Sequence, residues 1–212
     1  MIAAQPTRAF TLIEILVVLG IITILGGLMM PAFKMVRAQS QNSACLSNLR
    51  QTFTLWQSYQ TMNKGTMPMC EFLPVVTPQG VEGGLPNLLA NFIPVESPTW
   101  FCPADVDADS LSTGTSYTYL PGLLRYTPQV QFQVAQVLIE LPAGTTEGHR
   151  QQVRLNAEAK LVSAIFAGDT KALFPLLMDS EDRHPGTREP RNGVYLDGAA
   201  RAIIIEQNTT AD

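Results

Sequence analysis

The chain starts with nine residues of mixed character and is then almost uniformly apolar from Phe10 to Phe33. At about 1.5 Å per residue, a helix of this length extends over roughly 36 Å, enough to cross the hydrocarbon core of a bilayer. One carboxylate, Glu14, lies inside the run. A charge at that depth costs about 2.5 to 3.5 kcal/mol even on lenient insertion scales. The pattern therefore predicts a transmembrane helix over residues 10–33 whose acidic residue needs a partner.

After Pro31, apolar positions recur at intervals of three and four, with polar residues between them. The apolar stripe consists of Ala32, Val36, Cys45, Leu46, Leu49, Phe53, Trp56 and Tyr59. This spacing predicts that the helix continues as an amphipathic half over residues 34–64 and ends near Gly65. The stripe then packs against a domain formed by residues 65–212.

Residues 65–212 contain short elements separated by many prolines and glycines. Apolar spacing and alternation predict helices at Leu85–Ile93 and His149–Phe166, and strands at Thr115–Leu120, Val130–Val134 and Leu173–Met178. Asp197-Gly198 lies between the strand-like runs 193–196 and 200–205, which predicts an antiparallel hairpin with a two-residue turn. The predicted fold class is α+β: a long N-terminal helix packed on a small antiparallel sheet.

Composition and charge narrow the possible partners. The chain is 46% hydrophobic and 15% charged, which suits a globular domain, and its formal net charge is -4. Because this charge provides no basic field, we expect no nucleic-acid partner.

The residues around the start of the apolar run, Arg8-Ala9-Phe10-Thr11-Leu12-Ile13-Glu14, resemble the processing signal of type IV prepilins and type II secretion pseudopilins. The resemblance implies that prepilin peptidase cuts between Ala9 and Phe10, removing a leader of residues 1–9, and that Phe10 is N-methylated. Glu14 then becomes the fifth mature residue and Pro31 the twenty-second, as in that family. Ala9 is a departure, because the family usually has glycine there.

The same resemblance implies a filament subunit whose partners are prepilin peptidase, other pilin or pseudopilin subunits and the inner membrane. Glu14 would neutralise the N-terminus of a neighbouring subunit; the alternative is a carboxylate that reaches the lipid headgroups. Gly26, Gly27 and Pro31 weaken the helix, so that this stretch either bends or unwinds on assembly or is an ordinary membrane-helix kink. Arg8 favours a cytoplasmic N-terminus and a periplasmic C-terminal domain.

A second resemblance concerns the C-terminal third. The C-terminal signature of planctomycete-type prepilins resembles a set of residues here: Asp179, His184, Asn192 and Asp197-Gly198. Twelve residues separate His184 from Asp197, whereas that subfamily typically has nine. Two further stretches, 45–51 and 101–105, resemble the same subfamily. We interpret this signature as structural, with His184 or Asn192 hydrogen-bonding the terminal hairpin.

Two other residue groups suggest chemistry. Asp105, Asp107 and Asp109 alternate and could supply oxygen ligands to calcium, or they form a solvated acidic loop. Apart from calcium, no cofactor is expected. Of three cysteines, Cys70 and Cys102 are the predicted disulfide pair, which leaves Cys45 buried on the helix stripe.

The sequence thus predicts a structural subunit of a type II secretion or type IV pilus-like filament, not an enzyme. A second hypothesis is a signal-anchored periplasmic enzyme or binding domain that uses His184, Asp179 and Asp197.

Overall fold

A computed structural model describes residues 11–105, 109–167, 174–184 and 190–203. Its first element is a 51-residue helix, α1 (Leu12–Met62), which continues through Gly26, Gly27 and Pro31. At its end, the Gly65 N–H donates to the carbonyl oxygen of Gln60 at 2.8 Å, while Lys64 has a φ of 55°. A left-handed residue followed by this bond is the Schellman arrangement, which satisfies a terminal carbonyl. The predicted long helix and its end are confirmed.

The chain divides into two compact units, residues 1–40 and 41–212. In the described residues, α1 is the one helix long and apolar enough to cross a membrane. Its most apolar window has a mean hydropathy of 2.6, and none of that window is buried. The length and composition of this helix fit a membrane-anchored protein.

The second unit contains short helices and strands around the C-terminal half of α1. They are β1 (Val75–Thr77), β2 (Gly80–Glu82), α2 (Gly84–Leu88), a 3-10 turn (Pro98–Trp100), α3 (Asp109–Thr113), β3 (Tyr117–Tyr119), α4 (Leu120–Leu124), α5 (Pro128–Ile139), α6 (Glu147–Ala167), β4 (Leu177–Asp179), β5 (Asn192–Val194) and β6 (Ala200–Ala202).

The strands form one two-stranded and one four-stranded antiparallel sheet. The larger sheet has the order β3-β4-β5-β6, and β1 pairs with β2. In the larger sheet, Tyr117 lies opposite Asp179 and Val194 lies opposite both Leu177 and Ala200. The predicted α+β class, with a long helix and small antiparallel sheets, is confirmed.

The terminal hairpin is present, but its loop is longer than two residues. The Gly198 N–H donates to the Tyr195 carbonyl at 2.9 Å, and the Tyr195 N–H donates to the Ala199 carbonyl at 3.1 Å. Gly198 has a φ of 80°, and a Cβ there would lie 2.9 Å from a ring carbon of Phe53. This is a three-residue loop with a left-handed glycine at the bulge position, a common alternative to the two-residue turn.

Three other local predictions need correction. Val130–Val134, predicted as a strand, lies in α5, where Val130 and Val134 are buried and Phe132 is 66% exposed, as helical spacing requires. The Leu85–Ile93 helix shortens to α2, followed by turns before Pro94. Leu173 of the predicted Leu173–Met178 strand lies outside the described residues, and among those described the strand begins at Leu177, after Pro175, which cannot donate to a ladder. The predicted His149–Phe166 helix and the strand within Thr115–Leu120 are confirmed.

The buried part of the α1 stripe comprises Cys45, Leu49, Phe53 and Trp56. Val36, predicted to belong to this stripe, is 65% exposed, so the buried stripe begins after it. Buried around the stripe are aromatic and aliphatic side chains from the sheet and from the preceding loops, among them Trp100, Tyr117, Tyr119, Leu176, Leu177 and Val194. Burial of this one face explains why the second half of the helix is amphipathic.

A buried polar chain links α1 to this core. The indole N–H of Trp56 donates to the Tyr119 hydroxyl at 3.1 Å, and that hydroxyl donates to the Pro68 carbonyl at 2.8 Å. Burial raises the pKa of Tyr119 well above its usual value, so the phenol stays a neutral donor.

We expect Tyr119→Phe to lower the free energy of unfolding by about 1 to 3 kcal/mol, because it leaves two buried polar groups without their partner. Thermal unfolding of the full chain in detergent measures this loss. Tyr126→Phe is the matched control, since Tyr126 is 51% exposed. Equal stability of the two variants would contradict the role given to the buried hydroxyl.

Candidate functional site

The N-terminus of α1 is closed by a reciprocal pair of residues, Thr11 and Glu14. The Glu14 N–H donates to Thr11 Oγ1 at 3.3 Å, and the Thr11 N–H donates to Glu14 Oε2 at 2.9 Å. The Thr11 hydroxyl also lies 2.9 Å from Glu14 Oε2, as a donor. Threonine followed three residues later by glutamate is the capping-box pattern, which satisfies orphan donors of the first turn. The Thr-x-x-Glu spacing is the sequence signal that indicates this cap.

The capping box places the Glu14 carboxylate at the first turn of an apolar helix. The contacts to Thr11 provide hydrogen bonds but no positive charge. Among the described residues, no cation pairs with this carboxylate, so a counter-ion is favoured once lipid or protein surrounds the helix. Its position at the helix N-terminus also suits the positive end of the helix dipole.

The helix around this carboxylate exposes apolar side chains on all sides. Leu12 is 82% exposed, and even Ile15 is 48% exposed. Thr23 satisfies its hydroxyl within the helix by donating to the carbonyl oxygens of Leu19 and Gly20. An apolar surface this extensive requires lipid or other protein around it.

The predicted processing residues Arg8, Ala9 and Phe10 lie outside the described residues. Cleavage after Ala9 and methylation of Phe10 therefore stay predictions. Pro31 lies within α1, and its role in assembly likewise stays a prediction.

The C-terminal signature residues divide into a buried group and an exposed one. Asp179 at the end of β4 accepts the backbone N–H of Asn192 at 2.7 Å, and its Oδ2 lies 3.3 Å from His184 Nε2. The side chain of Asn192 donates to Asn42 Oδ1 on α1 at 2.7 Å. These bonds join the terminal hairpin to β4 and to α1, and the structural role of the signature stays a prediction.

Asp197 and Gly198 do not join this buried group. They lie in the hairpin loop, where Asp197 accepts the N–H of Ala199 at 2.8 Å and faces Arg201 at 3.5 Å. Because the side chain of Asp197 is 53% exposed, it belongs to the surface of the hairpin.

Two cysteines complete the buried group, and neither was predicted there. Cys45 on α1 donates to Asp179 Oδ1 at 3.4 Å, and Cys102 Sγ lies 3.6 Å from His184 Nε2. All three cysteines are free thiols, so the predicted Cys70–Cys102 disulfide is not formed in this structure. The reason lies in the packing: Cys102 faces His184, whereas the Cys70 backbone packs against Gly122 in α4.

The buried surroundings shift the acid–base behaviour of this group. Contact with Cys102, together with burial, raises the pKa of the Cys45 thiol. Burial lowers the pKa of His184, but hydrogen bonds to Asp179 and Cys45 outweigh it and raise that pKa to about 9.

The predicted calcium residues have different surroundings. Asp105 is 4% exposed at its side chain and pairs with Arg183 Nε at 3.0 Å. It is therefore not part of a solvated loop, and a guanidinium already neutralises it. Asp107 lies outside the described residues, and Asp109 begins α3. Calcium binding stays a prediction.

Comparison with known protein families finds a recognised motif around the start of α1. Residues 6–30 match the model of the prokaryotic N-terminal methylation motif. No match was found among curated proteins or among solved structures. The matched residues include the predicted cleavage site and the capping box with Glu14. The match identifies a prepilin-type methylation motif at residues 6–30 and supports a type IV pilin-like prepilin.

Proposed function

We propose that this protein is a prepilin-type structural subunit, a pseudopilin, that is cleaved after Ala9, N-methylated at Phe10 and assembled into a type II secretion or type IV pilus-like filament. The observation that carries the proposal is the methylation motif at residues 6–30, which overlaps the apolar start of α1. The enzyme that cuts and methylates it is prepilin peptidase.

The anchored form lies in the inner membrane with one membrane-spanning helix. The exposed apolar part of α1 is covered by lipid, and the C-terminal domain, residues 65–212, lies in the periplasm. Support comes from the hydropathy of α1 and from Arg8 on the short N-terminal flank.

Assembly transfers this helix from lipid to a bundle of identical or related helices. Lipid is as apolar as the side chains it covers, so burial of apolar area alone provides little drive for helices to associate. A charge pair between Glu14 and the methylated amine of a neighbouring subunit supplies an attraction that favours one register. The capping box orients the carboxylate for this contact before the neighbour arrives.

The alternative, a signal-anchored periplasmic enzyme or binding domain, has less support. Its three residues do not form one site, because Asp179 and His184 are buried while Asp197 lies in an exposed turn. The motif at the N-terminus favours a structural subunit.

Substitution at Ala9 tests the processing step. We expect Ala9→Gly to be cut at least as fast as the natural chain, and Ala9→Leu to be cut more slowly by a factor of about ten or more, because a pocket for a small residue excludes extra methylenes. Co-expression with a prepilin peptidase, followed by electrophoresis of the membrane fraction, measures the uncut fraction.

Ala4→Leu is the matched control, since it makes the same change elsewhere in the leader. Cleavage of Ala9→Leu at the rate of Ala4→Leu would show that the enzyme does not recognise this position, and the assigned cleavage site would then be wrong.

A further inference from the structure

Three segments that are far apart in the chain meet in one buried cluster. Cys45 comes from α1, Cys102 follows the 3-10 turn, and Asp179 and His184 lie at and after the end of β4. All four residues are less than 5% exposed. One ligand atom from each lies within 4.8 Å of the others. Two thiols, an imidazole and a carboxylate are therefore gathered around one point.

Three of the six distances between these atoms are close to the edges of a zinc tetrahedron, and the other three are at most 4.8 Å. Bond lengths of about 2.3 Å to sulfur, 2.0–2.1 Å to nitrogen and 2.0–2.2 Å to oxygen give edges of roughly 3.5–3.6 Å for S–N and S–O and roughly 3.3–3.5 Å for N–O. The structure has 3.6 Å between Cys102 Sγ and His184 Nε2, and 3.3 Å between His184 Nε2 and Asp179 Oδ2. Cys45 Sγ lies 3.4 Å and 3.8 Å from the two Asp179 oxygens.

The donor types narrow the choice of ion. Thiolate and imidazole together favour zinc and disfavour calcium and magnesium, which prefer oxygen ligands. Four protein ligands also leave no open position for a substrate, which is the pattern of a structural site.

Neighbouring groups hold the ligands in place. The Asn192 N–H donates to Asp179 Oδ2 at 2.7 Å, and the Tyr117 hydroxyl donates to Cys45 Sγ at 3.7 Å. The backbone N–H of His184 donates to the Pro190 carbonyl at 3.1 Å. Donors that orient ligands in this way are typical of the surroundings of metal sites.

We propose that Cys45, Cys102, Asp179 and His184 form a structural zinc site that fastens the C-terminal half of α1 to the end of the sheet. The metal bonds to two thiolates, a neutral imidazole and the carboxylate, so any protons that these ligands carry are released to solvent on binding. The site joins residues 134 positions apart in the chain, so the metal restrains a long loop.

The experiment uses the full chain, purified in detergent under reducing conditions with added zinc and then dialysed. We expect one equivalent of zinc per chain by mass spectrometry of the metal content. Cobalt should replace it and give the intense thiolate charge-transfer and tetrahedral visible bands. Removing zinc with a chelator should lower the unfolding temperature, and adding zinc should restore it.

Matched variants separate this site from adventitious binding. Cys102→Ser and His184→Ala should lower zinc affinity by about 100-fold or more, whereas Cys70→Ser and His149→Ala should retain one equivalent. The cobalt spectrum of the unaltered protein tests the proposal even where a variant fails to fold. Absence of stoichiometric zinc, a cobalt spectrum without thiolate bands, or a Cys45–Cys102 disulfide in protein isolated from cells would each overturn the site.

Discussion

Glu14→Ala is expected to insert into the membrane as well as the natural chain but to enter filaments at least about 100-fold less efficiently. Removing the carboxylate does not hinder insertion, because no charge then has to leave water, a step that costs up to about 2.5 to 3.5 kcal/mol at the centre of a membrane helix. The same change leaves the neighbour's methylated amine without its counter-ion in an apolar interface. Loss of one partner of a buried charge pair typically costs about 3 to 5 kcal/mol. Sheared-filament yield, normalised to membrane-bound subunit, measures the effect.

Three variants separate the charge from the capping box. Glu14→Gln keeps a side chain that can close the box but has no charge, so it should assemble as poorly as Glu14→Ala. Glu14→Asp keeps the charge and should assemble better than either. Thr11→Ala opens the box and keeps the charge, so it should still form filaments. If Glu14→Gln assembled normally and Thr11→Ala did not, the function of Glu14 would be capping, and the charge-pair account would be wrong.

Arg183→Met is expected to lower the free energy of unfolding by about 3 to 5 kcal/mol, the largest stability effect that we predict. Arg183 and Asp105 are 3% and 4% exposed at their side chains, and they approach to 3.0 Å. The guanidinium also donates to the Ser116 carbonyl at 3.1 Å and to Ser180 Oγ at 2.8 Å. Removing it leaves the buried Asp105 carboxylate without its positively charged partner, although the Ser116 hydroxyl still donates to that carboxylate and Ser180 still donates to the Ser116 carbonyl. Denaturant or thermal unfolding of the full chain in detergent measures the loss.

The control for this prediction is Arg191→Met, because Arg191 pairs with an exposed carboxylate, that of Asp182. Such pairs contribute about 1 kcal/mol or less. The double variant Asp105→Leu with Arg183→Met should be more stable than Arg183→Met alone, because no buried charge remains. A loss for Arg183→Met no greater than for Arg191→Met would show that the buried pair contributes little.

The sequence pattern was sufficient to predict those structural features that are determined by neighbouring residues. Spacing of three and four along α1 predicted the buried face from Cys45 to Trp56, and Asp197-Gly198 predicted a hairpin at the correct place. The error in the hairpin loop is also local: an Asp-Gly pair is compatible with both a two-residue turn and a three-residue loop with a bulge glycine. The Val130–Val134 segment was mispredicted because a short apolar run is ambiguous between strand and helix.

The buried cluster could not be predicted because its members meet through tertiary packing. Cys45, Cys102 and His184 lie far apart in the chain, and nothing in their spacing indicates that they converge. The Cys70–Cys102 disulfide prediction was wrong for the same reason. Both cysteines lie in the irregular region, but the sequence does not show in which direction their side chains point. The pairing of Asp105 with Arg183 is likewise a contact across 78 positions in sequence.

The most direct test of the account is the mass of the mature protein isolated from its native membrane. A chain that begins at N-methylated Phe10, and lacks residues 1–9, is the result that a prepilin-type subunit requires. Protein that retains Met1 throughout the membrane fraction would contradict cleavage, methylation and the filament assembly that depends on both.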